Sequence, residues 1–186
     1  MTASVKYRTI VADPPWRYNA TKPTTRGYKP SSAEGHYPTM TMVEIAALPV
    51  ADLAEDDAHL YLWVTSPRLF GDRGGIAPID ILKRWGFEYK TTLVWVKPGW
   101  GMGWWFRNNH ELVLFGVRGK APIHESKRLG SVIRGGQRVH SRKPDSFYDT
   151  VEAVSPGPYL ELFARRQRLG WDSWGNEALN HVEIAS

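Results

Sequence analysis

The sequence predicts an α/β fold, a layered sheet covered by helices on both faces. Two observations carry this expectation. Several short runs, such as Thr9-Ile10-Val11-Ala12 and Leu60-Tyr61-Leu62-Trp63-Val64, are almost continuously apolar rather than alternating, as strands buried on both faces are. Segments with helix start and stop signals fall between them, the pattern of a layered sheet rather than a sandwich. At 186 residues the chain is expected to form one domain, 1–186, large enough for a proper core.

The elements follow in order. Tyr7 to Ala12 is the first strand, and a long polar segment from Arg17 to Pro38 follows it. Thr41-Met42-Val43-Glu44 has the form of a capping box and opens a short helix ended near Pro49. Ala58 to Thr65 is the second strand, and Pro78 to Trp85 is a helix closed by Gly86. Thr91 to Val96 and Glu111 to Val117 are the third and fourth strands. Pro144 to Val154 reads as a helix with Phe147, Tyr148 and Val151 on one face. Pro158 to Ala164 is the fifth strand, and Trp171 to Trp174 begins a last one. Ligands of such sheets bind outside the carboxyl ends of the strands. Chemistry is therefore expected at Asp13, Thr65-Ser66, Lys97-Pro98 and Arg165.

Composition narrows the function. No apolar stretch approaches a membrane span, and the first residues lack a signal-peptide core, so a cytoplasmic protein without membrane partners is expected. Cysteine is absent, which removes disulfides and thiolate metal sites. The six histidines show no convincing ligand spacing, so no metal is expected. No Gly-x-Gly-x-x-Gly follows a strand, which disfavours a standard nicotinamide site.

Charge is concentrated between positions 118 and 143. Arg118, Lys120, Lys127, Arg128, Arg134, Arg138, Arg142 and Lys143 stand there against Glu125. The segment is +7 in a chain of net +5, which reads as a polyanion contact or as a solvated loop. Trp100, Trp104 and Trp105 lie in a Gly-rich stretch, suited to base stacking, to a subunit contact that would make a homodimer possible, or to folding over the core.

Asp13-Pro14-Pro15-Trp16, directly after the first strand, is the motif with the most chemistry. Proline fixes φ and adds no competing donor, and the residue before each proline is pushed towards extended geometry. The Asp13 carboxylate and the Pro14 carbonyl can accept both hydrogens of an exocyclic amine, while Trp16 offers a stacking plane. The alternative is a Pro-rich turn with Trp16 as a core anchor.

A series of segments then points one way. They are Val11-Ala12-Asp13-Pro14-Pro15-Trp16, His36-Tyr37-Pro38-Thr39-Met40, Leu60 to Thr65, and Gly86-Phe87 leading to Val94-Trp95-Val96-Lys97. Asn109-His110-Glu111, His140 to Asp145, Glu161-Leu162-Phe163-Ala164-Arg165 and Trp174-Gly175-Asn176-Glu177 complete it. From about Thr9 to Glu177 the chain resembles the MT-A70 family of S-adenosylmethionine-dependent adenine-N6 methyltransferases, in the manner of its small bacterial or phage members.

That resemblance implies a Rossmann-like methyltransferase sheet with permuted motif order, the catalytic motif preceding the main cofactor-binding strand. It implies S-adenosylmethionine as cofactor, contacted by Asp13, Lys143, Arg165, Asn176 and Glu177, with Asp13, Pro14, Pro15 and Trp16 at the reacting centre. For the proposed transfer, Tyr37 would join in holding the base, and Glu111 would contact the adenine or its neighbour or else cap the fourth strand on a polar edge; Arg134 and Arg138, from the basic block, would contact the nucleic-acid backbone. Two positions depart from the family's animal RNA-modifying members. Arg168 stands near a family Asn, and Glu177 replaces a Gln. The target base must be single-stranded or flipped. DNA is favoured by analogy with small members, with RNA possible. A non-catalytic partner subunit and cytosine-N4 methylation remain as alternatives.

Overall fold

In the computed structural model, residues 5–17, 38–71, 75–101, 105–136, 143–176 and 178–184 are described. Their elements are β1 (Tyr7–Ala12), α1 (Met42–Ala47), α2 (Val50–Leu53), β2 (Ala54–Val64), α3 (Pro78–Arg84), β3 (Glu88–Val96), β4 (His110–Arg118), β5 (Val132–Arg134), α4 (Asp145–Val154), β6 (Tyr159–Leu162) and β7 (Trp171–Trp174). The described strands form one seven-stranded sheet in the order β5-β3-β4-β2-β1-β6-β7. β1 runs parallel to β2 and β6, β6 to β7, and β3 to β5, whereas β4 runs against both β2 and β3. The α/β expectation holds, and so does the permuted order. β1, which leads into Asp13, lies beside β6, which comes near the end of the chain.

The two faces are packed by different helices, as expected. On one face Ile10, Leu60, Leu62, Leu160 and Leu162 meet Ile45 of α1 and Ile81 and Leu82 of α3. On the other, Val11, Tyr61, Trp63, Val113 and Phe115 meet Phe147, Tyr148 and Val151 of α4. Full burial of one such aliphatic or aromatic side chain is worth about 1.5–3 kcal/mol. Alternation along a strand sends successive residues to opposite faces, which is why Ile10 and Ala12 belong to one core and Val11 to the other.

Most expected boundaries fall within a few residues of the observed ones. β1 and β7 match, and α1 begins after a true capping box: Thr41 N donates to Glu44 Oε2 at 2.7 Å, and Glu44 N donates to Thr41 Oγ1 at 3.2 Å. β2 begins four residues before the expected Ala58. Its first turn outwards carries Glu55, Asp56 and Asp57, which are exposed and interrupt the apolar pattern. β5 was not expected at all. Three residues in a Gly-rich basic segment carry too little periodicity to announce a strand, and pairing with Val94 to Val96 forms it.

Candidate active site

The parallel strands all end at one edge of the sheet, and β4, running the other way, begins there. Asp13 follows β1, Lys97 follows β3, and Glu111 is the second residue of β4. By strand alternation Asp13, Lys97 and Glu111 share the face of Val11, Trp95 and Val113, the α4 side. Lys143 reaches the same place from just before α4. Its ammonium lies 3.0 Å from Asp13 Oδ1 and donates to Glu111 Oε2 at 2.8 Å. Lys97 Nζ donates to the other Glu111 oxygen, Oε1. The result is a chain of alternating charge, Asp13, Lys143, Glu111, Lys97, drawn from four different segments.

This cluster is largely shielded from water. The side chains of Asp13, Glu111 and Lys143 are 16%, 12% and 10% exposed. Burial alone would raise the Glu111 pKa, but the Lys143 and Lys97 ammoniums overcome it and hold the carboxyl below its ordinary range. Burial would likewise lower Lys143, yet Asp13 and Glu111 push it above the usual lysine value. Lys143 also sits over the Trp63 ring, 4.6 Å from its centroid, a cation–π contact strengthened by exclusion of water.

Two site residues have partners that the sequence did not reveal, Lys143 first. Expected at the cofactor, it also pairs with two carboxylates of the site, Asp13 and Glu111, which the sequence reading did not assign to it. The second is Trp16, which is 4% exposed and donates Nε1–H to the Trp63 carbonyl at 3.2 Å. Its ring is a core anchor here, the alternative reading of the motif, and presents no open stacking plane.

The prolines hold the motif by their carbonyls. Pro14 O accepts from Trp16 N at 2.8 Å, and Pro15 O accepts from Met40 N at 2.8 Å. Asp13 N donates to Leu162 O at 3.4 Å, tying the motif to the end of β6.

A cavity of about 190 Å³ opens beside Asp13 and is lined also by Met40, Phe163, Arg165, Trp174 and Asn176. Phe163 and Trp174 meet edge-to-face at 5.4 Å and form an aromatic wall. Phe163 holds the left-handed region, φ 63°, which costs a non-glycine residue roughly 1–2 kcal/mol and occurs preferentially at functional sites. A Cβ on Gly175 would fall well inside contact distance of the Ala164 backbone, so only glycine lets the ends of β6 and β7 approach this closely. Asp13 alone among these groups belongs both to the cavity and to the charge chain.

The structure thus brings together Asp13, Arg165 and Asn176 around the cavity, and Asp13, Glu111 and Lys143 in the charge chain. Arg134 ends β5 at the same edge and is exposed, in register with Val96. Tyr37, Arg138 and Glu177 lie outside the described residues, as does Trp104. Trp100 and Trp105 are 83% and 94% exposed, so they are not folded over the core. The basic block is also split. Arg118, at the far end of β4, donates to the Ala51 carbonyl at 2.6 Å, on the opposite edge of the sheet from Arg134.

Sequence reasoning missed Phe163, Trp174 and Met40 as cavity walls, and saw Lys97 only as a strand end. Its alternation with Trp95 was the available signal. Arg168, the departure near a family Asn, binds Glu152 and Asp149 on α4 at 2.8 and 3.1 Å and stabilises packing away from the cavity.

The MT-A70 family model matches residues 7–177. The chain belongs to the MT-A70 family. It is 34% identical to the Type II methyltransferase M.MunI of Mycoplasma sp over 195 residues, covering 96% of this chain and 81% of that protein. It is 32% identical to an N(6)-adenosine-methyltransferase MT-A70-like protein of Drosophila melanogaster, over 95% of this chain and 28% of that protein. It is 30% identical to the human N(6)-adenosine-methyltransferase catalytic subunit METTL3, over 92% of this chain and 28% of that one. The MT-A70 match includes β1 with its Asp-Pro-Pro-Trp motif, the charge chain and the cavity walls up to Asn176. Among the described residues no group of metal-ligating side chains is found, and no helix is long and apolar enough to cross a membrane.

Proposed function

We propose that this chain transfers a methyl group from S-adenosylmethionine to N6 of adenine in nucleic acid, with DNA the favoured substrate. The observation that carries the reading is Asp13, placed between a mixed aromatic and polar cavity and a buried, charge-balanced cluster. Family membership supplies the reaction class. The donor set suits the cofactor: Asn176 offers an amide to hydroxyls, Arg165 a guanidinium, Asp13 a carboxylate, and Phe163 with Trp174 an apolar wall for a ring. When bound, S-adenosylmethionine supplies a methyl group made electrophilic by its sulfonium.

The amine of adenine is a weak nucleophile because its lone pair is delocalised into the ring. Asp13 and the second lone pair of the Pro14 carbonyl accept the N6 hydrogens and turn the nitrogen lone pair towards the cavity. Lys143 fixes the direction of the Asp13 carboxylate, and Glu111 with Lys97 fixes Lys143. The contribution at methyl transfer is orientation and preorganised electrostatics, and the one N6 proton that methylation displaces leaves afterwards by way of the Asp13 carboxylate to solvent. Trp16 acts from the core, holding the motif through the Trp63 carbonyl. Arg134 contacts the phosphate backbone. DNA is favoured because the Type II methyltransferase is matched along most of both chains, whereas the adenosine-named relatives are matched over 28% of theirs.

The test is methyl transfer from labelled cofactor to single- and double-stranded DNA and RNA, beside Asp13→Asn. Label should appear on adenine N6 and fall roughly 100- to 1000-fold in the variant, with cofactor binding retained. Undiminished transfer by Asp13→Asn would remove Asp13 from the mechanism. Preferred labelling of RNA would overturn the choice of DNA.

A further inference from the structure

A second cleft lies away from the catalytic cavity, on the α4 side of the sheet. Its deeper part, about 250 Å³, is floored by Leu93 and Phe115, walled by Thr150 and Val154 of α4, and rimmed by Lys127 and Arg128. It adjoins a shallower part of about 600 Å³ that shares Phe115, Ile123 and Arg128 and adds Lys90 and Lys120. Four cations and no carboxylate line the two parts among the described residues. Nearby acids are on the surface. Glu88 pairs with Lys90 at 2.7 Å and Glu125 with Arg128 at 3.6 Å, both between well-exposed side chains, where such pairs are weak and easily exchanged. Asp57 Oδ1 accepts from the Lys120 backbone at 2.6 Å.

Its position relates it to the active site. Gly130 and Ser131 line the cleft at the start of β5, and Arg134 ends β5 at the catalytic edge. β5 is the outermost strand of the sheet, with Val132 and Arg134 facing solvent. From Ser131 to Arg134 an extended backbone covers about 10 Å, the length of roughly three stacked nucleotides. An apolar floor with a cationic rim matches a nucleobase with its phosphates, since stacking and phosphate neutralisation are the two sequence-tolerant terms in single-strand binding.

We propose that this cleft holds a nucleotide of the substrate strand about three positions from the one at Arg134, its base packed between Ile123 and the exposed Leu129 and its phosphates at Lys127 and Arg128. This assignment rests on the nucleic-acid reading above. β5 is then a track between two anchoring points, with Arg134 at one end and the cleft at the other.

The experiment compares fluorescent single-stranded oligonucleotides by anisotropy across a salt series. The short one has one neighbour on each side of a single adenine, and the long one extends past the cleft on both sides. Wild type should bind the long strand more tightly. The double variant Lys127→Glu/Arg128→Glu should lose that gain by roughly fivefold or more and lower the salt slope by about 1.4, or about 0.7 for each phosphate. Ile123→Trp, which fills the cleft without changing charge, should lose the same gain with the short strand unaffected. Thermal unfolding checks that both variants fold. If Ile123→Trp binds the long strand like wild type, or if both variants weaken the two strands equally, the cleft does not take a base. If wild type binds both strands equally, the cleft assignment alone falls. If wild type binds neither, the nucleic-acid reading falls and takes the cleft's occupant with it.

Discussion

Lys143→Met removes one positive charge from between two shielded carboxylates. In the native cluster Asp13, Lys143, Glu111 and Lys97 balance to zero, and the first three side chains are 16% exposed or less. Without Lys143, Glu111 keeps Lys97, but Asp13 loses its ion-pair partner and faces the other carboxylate across the vacated space. Removing one partner of a buried pair costs about 3–5 kcal/mol, and the remaining Lys97 contact places this case near the lower end. For a chain of this size that is a fall in Tm of roughly 10 °C. The assay is thermal unfolding by circular dichroism between pH 4 and pH 8. The pH dependence carries a sign. Glu111 is depressed in the native protein, so its stabilisation is present above the unfolded carboxylate pKa and is lost as pH falls through the depressed value. In the variant the two carboxylates repel, and protonating Glu111 relieves the fold. Its deficit relative to wild type should therefore shrink as pH falls through the ordinary carboxylate range. Adding Glu111→Gln to Lys143→Met should restore part of the loss, a coupling that distant sites would not show. A loss below about 1 kcal/mol, or a deficit independent of pH, would refute the account of Lys143 as the hub of the cluster.

Two other predictions concern neighbours of the site. Glu161 is buried, accepts from Tyr148 OH at 2.7 Å, and has its pKa raised first by burial and further by Asp13. An acid raised on folding stabilises fully below its unfolded pKa and progressively less as pH rises. Glu161→Gln should therefore gain Tm over wild type from about pH 5 upwards, and a gap that does not widen with pH would be contrary. Gly175→Ala should weaken binding of S-adenosylmethionine, measured calorimetrically, because its methyl would push the ends of β6 and β7 apart. Undisturbed affinity would show that this close approach does not shape the cavity.

How far the sequence disclosed the site depended on distance along the chain. Asp13 was legible because strand, carboxylate and prolines are consecutive. Asn176 and Arg165 were legible only through the family, since neither has local chemistry to mark it. Lys143 was recognised as important but its partners were not, because 130 positions separate it from Asp13 and only the packing of α4 brings them together. Trp16 could be read as plane or anchor, and the carbonyl that decides is on Trp63 of another strand. The left-handed turn at Phe163 had no signal, as glycine would ordinarily mark it.

The β3–β4 hairpin divides labour between its base and its tip. The register Trp95↔Glu111 and Val96↔His110, closed by Lys97 N donating to Asn109 O at 2.7 Å, sets Lys97 against Glu111 from below. Gly101 N donating to Asn108 O at 2.7 Å makes a second clasp, and Trp105 and Phe106 stand exposed past it. The hairpin is thus latched twice, with two backbone clasps standing between the exposed Trp105 and Phe106 and the Lys97–Glu111 pair.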